Sequence, residues 1–223
     1  MDTLTQNATT SRPVSALRRR PGHHGAKWIV PGLLVLGLLP VVLGIAHLAT
    51  VAAGIDLSAK AHYFLSMPIP IAMHVIGAAI YVLLGPLQFA SGLRRRAPHW
   101  HRRSGRLLVV AGLFVAVSAL WMTMTLPHQA GGGDLLFVAR LLFGTAMIAS
   151  IGLGFAAIRN GNVPAHRRWM MRAYAIGLGA ATQIPVLMIA EIVAGHPSEV
   201  VRAVLMASAW VGNLLIAEWR LRH

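Results

Sequence analysis

The sequence contains no cysteine and only six acidic residues among its 223 positions. The absence of cysteine excludes disulfides, thiolate metal sites, iron–sulfur clusters and cysteine nucleophiles. Charged residues make up 12% of the chain and hydrophobic residues 56%, whereas about 25% charged residues are typical of soluble domains. A chain so poor in charge cannot cover a surface that faces water. We therefore predict an all-α, multi-span membrane protein and not a soluble enzyme.

Several catalytic motifs are missing as well. The sequence has no phosphate-binding glycine-rich loop, no H-E-x-x-H and no G-x-S-x-G. The acidic residues are scattered, so no pair of catalytic carboxylates is apparent. Hydrolytic activity therefore has little support, and whether the protein is an enzyme stays open.

Basic residues are abundant, since 20 Lys and Arg give a formal net charge of +14. In a soluble protein this excess would indicate nucleic-acid binding. Here the basic residues lie in short clusters between long apolar stretches. Such clusters are typical of loops that set membrane topology and contact anionic lipid headgroups. We expect those lipids, and no nucleic acid, as partners.

Long stretches without charge predict six membrane-spanning helices of roughly 20 residues, the length that crosses the hydrocarbon core. The predicted helices are residues 28–50, 69–90, 106–126, 135–158, 169–194 and 200–219. Residues 1–27 are polar and basic, and we predict a flexible cytoplasmic tail there. The six-helix transmembrane domain then occupies residues 28–223.

The distribution of Lys and Arg predicts the orientation of these helices. Seventeen of them fall in the tail and in segments that lie on the same side of the membrane as the tail. Only Lys60 and Arg202 fall on the opposite side, and Arg140 lies within a span. Because basic loops stay in the cytoplasm, both termini are predicted to be cytoplasmic.

Three histidines occupy positions where a metal or haem ligand would be useful. His74 lies about five residues into the second helix, where a polar group without a partner is costly. His101 and His166 lie at the cytoplasmic starts of the third and fifth helices, and each is followed by two Arg residues. A neutral histidine nitrogen binds haem iron, zinc or copper. The alternatives are a hydrogen bond to a neighbouring helix for His74, and contact with lipid headgroups for the other two.

A buried ion pair is predicted between Arg140 and Glu191. Both lie a few residues inside the outer ends of the fourth and fifth helices, which a short loop joins. Consecutive helices joined in this way pack antiparallel, and a lone charge inside the membrane is costly. The pair would fix helix packing or, alternatively, relay a proton or substrate.

Four ordered motifs resemble a known family. They are Gly85-Pro86-Leu87-Gln88-Phe89; His101-Arg102-x-x-Gly105-Arg106; His166-Arg167-x-Trp169-Met170-x-Arg172-x-Tyr174-Ala175; and Trp210-x-x-Asn213-Leu214-Leu215-x-Ala217-Glu218. With His74 upstream, they look like the bacterial predicted-membrane-protein family called domain of unknown function 2306. The resemblance covers roughly residues 70–219. It implies a multi-pass protein of the bacterial inner membrane and no established activity.

A looser similarity, to transmembrane b-type cytochromes, rests on the placement of His74, His101 and His166. It implies haem b held between helices for electron transfer, with Arg102 and Arg167 near the propionates. The fourth helix departs from that pattern because it contains no histidine. Two other functions stay open, a transporter of protons or small solutes and a non-catalytic membrane subunit.

Overall fold

A computed structural model describes residues 26–55, 66–125 and 133–223, and the regular structure within these ranges is helical throughout. The helices are α1 (Ala26–Ala52), α2 (Pro68–Gln88), α3 (Ser91–Arg96), α4 (Pro98–Thr125), α5 (Gly133–Arg159), α6 (Val163–Gly177), α7 (Gly179–Ala194) and α8 (Glu199–Arg222). Helices α6 and α7 together form one span. Six segments are long and apolar enough to cross a membrane, which confirms the predicted number.

The helices extend farther into the charged segments than the sequence predicted. The largest differences are at α4 and α6, which begin eight and six residues before the predicted starts at 106 and 169. Long Arg side chains lie along a helix and reach the headgroups with their charged ends. The last charge before an apolar stretch is therefore a poor marker of where a helix begins. Apart from residues 26 and 27, the predicted tail lies outside the described residues.

Local signals account for two of the helix starts at the ends of loops. The side chain of Asn162 accepts a hydrogen bond from the backbone N–H of Ala165 at 3.0 Å, and Ser198 accepts one from Val201 at 3.4 Å. Both satisfy backbone donors that a first helical turn leaves free. Gly161, with a φ of 73°, makes the tight turn from α5 into α6.

Helix α6 lies at the centre of the bundle. It packs mainly on α5 and α8 and also contacts α2 and α4. After the break at Leu178 the chain continues as α7, which packs mainly on α8 and α1. The buried residues of α6 include Ala173, Tyr174 and Ile176, and they belong to the main apolar core.

The break in the fifth span is held by a side chain from α8. Asn213 donates its amide to the backbone oxygen of Ala175 at 3.2 Å and to the hydroxyl of Thr182 at 3.1 Å, one on each side of Leu178. The indole of Trp210 packs against Gly179, where a β-carbon would collide with it. A helix interruption inside a membrane needs such partners for its backbone groups.

Candidate functional site

The structure brings His101 and His166 together. Each lies in the first turns of its helix, and α4 and α6 start at the same end of the bundle and contact each other. We call this the Arg-rich end, where α4 and α6 begin and α2, α5 and α8 finish. Ligation of one group by these two histidines stays a prediction.

The ring of His166 is fixed by a backbone carbonyl. Its Nδ1 lies 2.8 Å from the oxygen of Gly154, near the end of α5. Because a carbonyl only accepts, Nδ1 carries the proton and donates, which leaves a lone pair on Nε2 of the neutral ring. Gly154 permits this approach, since a β-carbon there would lie 2.5 Å from the Met170 methyl group. Metal-binding histidines are commonly oriented by a bond of this kind.

The ring of His101 contains an unsatisfied nitrogen. Its Nδ1 is buried and has no hydrogen-bond partner, a condition it shares within the described ranges only with the hydroxyl of Tyr174. A buried polar atom without a partner costs about 1–3 kcal/mol. Such an atom in a native protein calls for a partner beyond the described residues, such as water or a ligand. Nδ1 of His101 and Nε2 of His166 are therefore the nitrogens available to a ligand.

The predicted anion-binding arginines lie at the rim of this site. Arg102 and Arg167 are exposed. Nη2 of Arg102 lies 3.3 Å from Nδ1 of His99, which is exposed on the same turn. Exposed guanidinium groups can pair with an anion that approaches from outside the bundle.

His74 lies apart from this pair, on the half of α2 farther from the Arg-rich end. Its Nδ1 is 3.2 Å from the backbone oxygen of Val115 and 3.1 Å from the hydroxyl of Ser118, both on α4. A hydrogen bond to a neighbouring helix was the alternative to a ligand role for His74, and both contacts are of this kind. As with His166, the carbonyl fixes the proton on Nδ1 and leaves a lone pair on Nε2.

Glu191 has a partner that the sequence did not predict. Its carboxylate lies 2.6 Å from Nδ1 of His196, in the turn that follows α7. Arg140 is half-buried on α5, and α7 packs mainly on α8 and α1. The pairing of Arg140 with Glu191 stays a prediction.

The sequence analysis missed an ion pair between α6 and α8. Arg172 donates through Nε to Oε1 of Glu218 at 2.5 Å and through Nη2 to Oε2 at 3.2 Å, and its guanidinium lies 4.6 Å from the centre of the Trp169 ring. Arg222, one turn after Glu218, has the spacing of an ordinary ion pair within one helix. Arg172 instead reaches Glu218 from another helix and forms two parallel hydrogen bonds with its carboxylate. A bidentate pair of this kind is among the stronger ion pairs in proteins. The clue in the sequence was that Arg172 and Glu218 both belong to the motifs quoted above.

The described part of the chain contains no group of three or more His, Asp or Glu residues that could hold a metal ion. A closed zinc site, which takes four ligands, is therefore not formed by these residues. A haem iron requires only axial ligands from the protein.

The motifs at the Arg-rich end contact one another in the fold. Gln88 donates to the Ser104 hydroxyl at 2.8 Å, and the ring of Tyr174 packs against Gly85. A family model described as "Predicted membrane protein (DUF2306)" matches residues 71–221, well over half of the chain. No curated protein and no solved structure gives a significant match.

Proposed function

Since the chain belongs to this family of predicted membrane proteins, we propose that it is a membrane redox protein that holds haem b between His101 and His166. One observation carries the proposal. Nδ1 of His101 is buried without a partner among the described residues, and its helix α4 contacts α6, where His166 is bonded through its own Nδ1 so that Nε2 keeps a lone pair. Haem supplies one-electron chemistry when it is bound.

The residues around the two histidines suit this group. The bond from His166 to Gly154 orients its ring and increases the basicity of the opposite nitrogen. Arg94, Arg102 and Arg167 are exposed at the rim, where guanidinium groups pair with carboxylates such as propionates. Gly154 and the close packing of α5 on α6 keep His166 in place.

The proposal is tested by measuring haem content per chain in detergent-purified protein expressed with ample haem. We expect His101→Ala and His166→Ala each to lose most of the haem. His99→Ala is the matched control because His99 is exposed on the same turn as His101 and bonds Arg102. His99→Ala and His74→Ala should both retain the haem that His101 and His166 are proposed to hold.

A second variant distinguishes the loss of a haem ligand from the loss of haem through misfolding. His101→Met preserves a side chain that ligates haem iron, so it should bind haem with a raised reduction potential. If His101→Ala and His166→Ala bind as much haem as the wild type, the site is elsewhere and the proposal is wrong.

We also propose that the Arg-rich end faces the cytoplasm of a bacterial inner membrane and binds anionic lipids there. The exposed residues Arg94, Arg95 and Arg96 form the last turn of α3. Trp100 and Trp169 lie within the first two turns of α4 and α6, and tryptophan is enriched at membrane interfaces. Each basic residue near an anionic surface contributes about 1 kcal/mol to its attraction.

Native mass spectrometry with added phosphatidylglycerol or phosphatidylcholine tests this partner. We expect phosphatidylglycerol to stay bound preferentially, and less of it after Arg94, Arg95 and Arg96 are all changed to Gln. Arg202→Gln, at the opposite end, is the control and should change nothing. Equal retention of both lipids by the wild type would contradict the proposal.

A further inference from the structure

A line of polar side chains runs along the contact between α2 and α4. His74, Tyr81 and Gln88 recur every seven residues of α2, so they share one face of the helix and extend over about 21 Å. Both ends of the line bond to α4, His74 to Ser118 at 3.1 Å and Gln88 to Ser104 at 2.8 Å. The line therefore extends across most of the ~30 Å hydrocarbon thickness.

Two tyrosines occupy the middle of this line. The ring of Tyr81 lies between Gly112 of α4 and Gly177 of α6, where a β-carbon on either glycine would be 2.7 Å from it. Tyr174 of α6 packs beside it with ring centres 5.7 Å apart. We call His74, Ser118, Tyr81, Tyr174, Gln88 and Ser104 the polar seam.

The hydroxyl of Tyr174 does not serve packing. The side chain is only 7% exposed, and its oxygen has no hydrogen-bond partner among the described residues. Phenylalanine would fill the same space and contact the same glycine without the cost of an unsatisfied hydroxyl. An unpartnered hydroxyl beside a second buried tyrosine indicates a role that uses the O–H group.

We propose that the polar seam conducts protons between the two ends of the bundle, with buried water completing the chain between its side chains. Polar residues inside membrane bundles commonly form such relays. Each hydroxyl and each buried water accepts one proton from one side and gives its own to the other side, so no tyrosinate forms, while the Gln88 amide only holds the Ser104 hydroxyl and carries no proton. His74 takes a proton at Nε2 and releases one from Nδ1 towards Ser118, and one proton crosses per event.

This path does not depend on haem, so the two proposals can fail separately. The competing interpretation is a polar contact that only fixes the register of α2 on α4. A purely structural role depends on the shape of the tyrosines, whereas conduction depends on their hydroxyl groups. Tyr→Phe substitutions therefore distinguish the two interpretations.

The test uses the full chain in liposomes that contain a trapped pH-sensitive dye and potassium. Valinomycin then imposes a potential, and the dye reports proton entry. We expect faster entry than in protein-free liposomes, and at least a tenfold decrease in Tyr174→Phe and Tyr81→Phe. Thr145→Val is the control because Thr145 bonds its own helix on an exposed face of α5, and it should conduct like the wild type.

Ser118→Ala provides an independent test at the far end of the seam and should also reduce proton entry, even if Tyr174→Phe proves unstable. The haem content of Tyr174→Phe should equal that of the wild type. Proton entry no faster than in empty liposomes, or unchanged entry in Tyr174→Phe and Ser118→Ala, would overturn the proposal.

Discussion

Individual residues at the Arg-rich end differ in whether their polar atoms have hydrogen-bond partners among the described residues. His166 and Gln88 have hydrogen-bond partners on neighbouring helices, whereas Nδ1 of His101 has none within the described part of the chain. Arg172 and Glu218 satisfy each other, and their side chains are 28% and 34% exposed. Sequence reasoning selected both histidines by their position, and their role stays a prediction; it missed the partner of Glu218. A pair separated by 46 positions leaves no local spacing to read, whereas Arg222 lies one turn away.

The ion pair between Arg172 and Glu218 should stabilise the contact of α6 with α8. In a double-mutant cycle of Arg172→Ala and Glu218→Ala, we expect a coupling energy of about 1–2 kcal/mol, because the pair is bidentate and only partly exposed. Unfolding in sodium dodecyl sulfate measures it. The same cycle with Arg222→Ala in place of Arg172→Ala should give almost no coupling. A larger coupling to Arg222 than to Arg172 would show that Glu218 pairs within α8 instead.

Whole helices could be predicted from the sequence better than their ends and breaks. Uncharged stretches of sufficient length locate the spans because charge inside hydrocarbon is costly. The interruption at Leu178 was missed because Pro185, inside α7, is the more conspicuous helix-breaking residue. The structure instead places the interruption between Gly177 and Gly179, where Asn213 from another helix satisfies the backbone.

The interruption of the fifth span should depend on Asn213. We expect Asn213→Ala to lower the free energy of unfolding by about 1–3 kcal/mol, since the buried oxygen of Ala175 loses its donor. Ser208→Ala on the same helix is the control because Ser208 is exposed and bonds its own helix. Unfolding in sodium dodecyl sulfate compares the two variants. Equal stability of both would show that Asn213 is not needed at the break.

The close packing of α5 on α6 at Gly154 should determine the position of His166 in the candidate site. Gly154→Ala places a β-carbon against Met170 and Trp169 and moves the carbonyl that holds His166. We expect clearly reduced haem content without loss of the folded protein. Gly152→Ala, two positions away and with nothing within 4 Å of its added carbon, is the matched control. Equal haem content in the two variants would argue against a positioning role for Gly154.

The whole molecule is asymmetric, since its Arg clusters gather at one end of a six-span bundle. This asymmetry predicts the orientation of the protein. The orientation is decided by the energetics of membrane insertion and not by packing within the bundle. The sequence therefore carries that information, while the internal contacts of the fold do not.

The orientation can be tested by cysteine labelling, because the chain contains no cysteine of its own. We expect Arg95→Cys to react with a membrane-impermeant maleimide only after cells are permeabilised. Ala194→Cys, exposed at the end of α7, should react in intact cells. The reverse pattern would place the Arg-rich end outside.

The measurement that tests the central claim most directly is the absorption spectrum of the purified wild-type protein, oxidised and then reduced with dithionite. Two histidine ligands at the Arg-rich end predict an intense Soret band that shifts on reduction, with a sharp band appearing at longer wavelength. His101→Ala and His166→Ala should each abolish this pattern. A correctly folded wild-type protein that stays colourless after expression with ample haem would contradict the account.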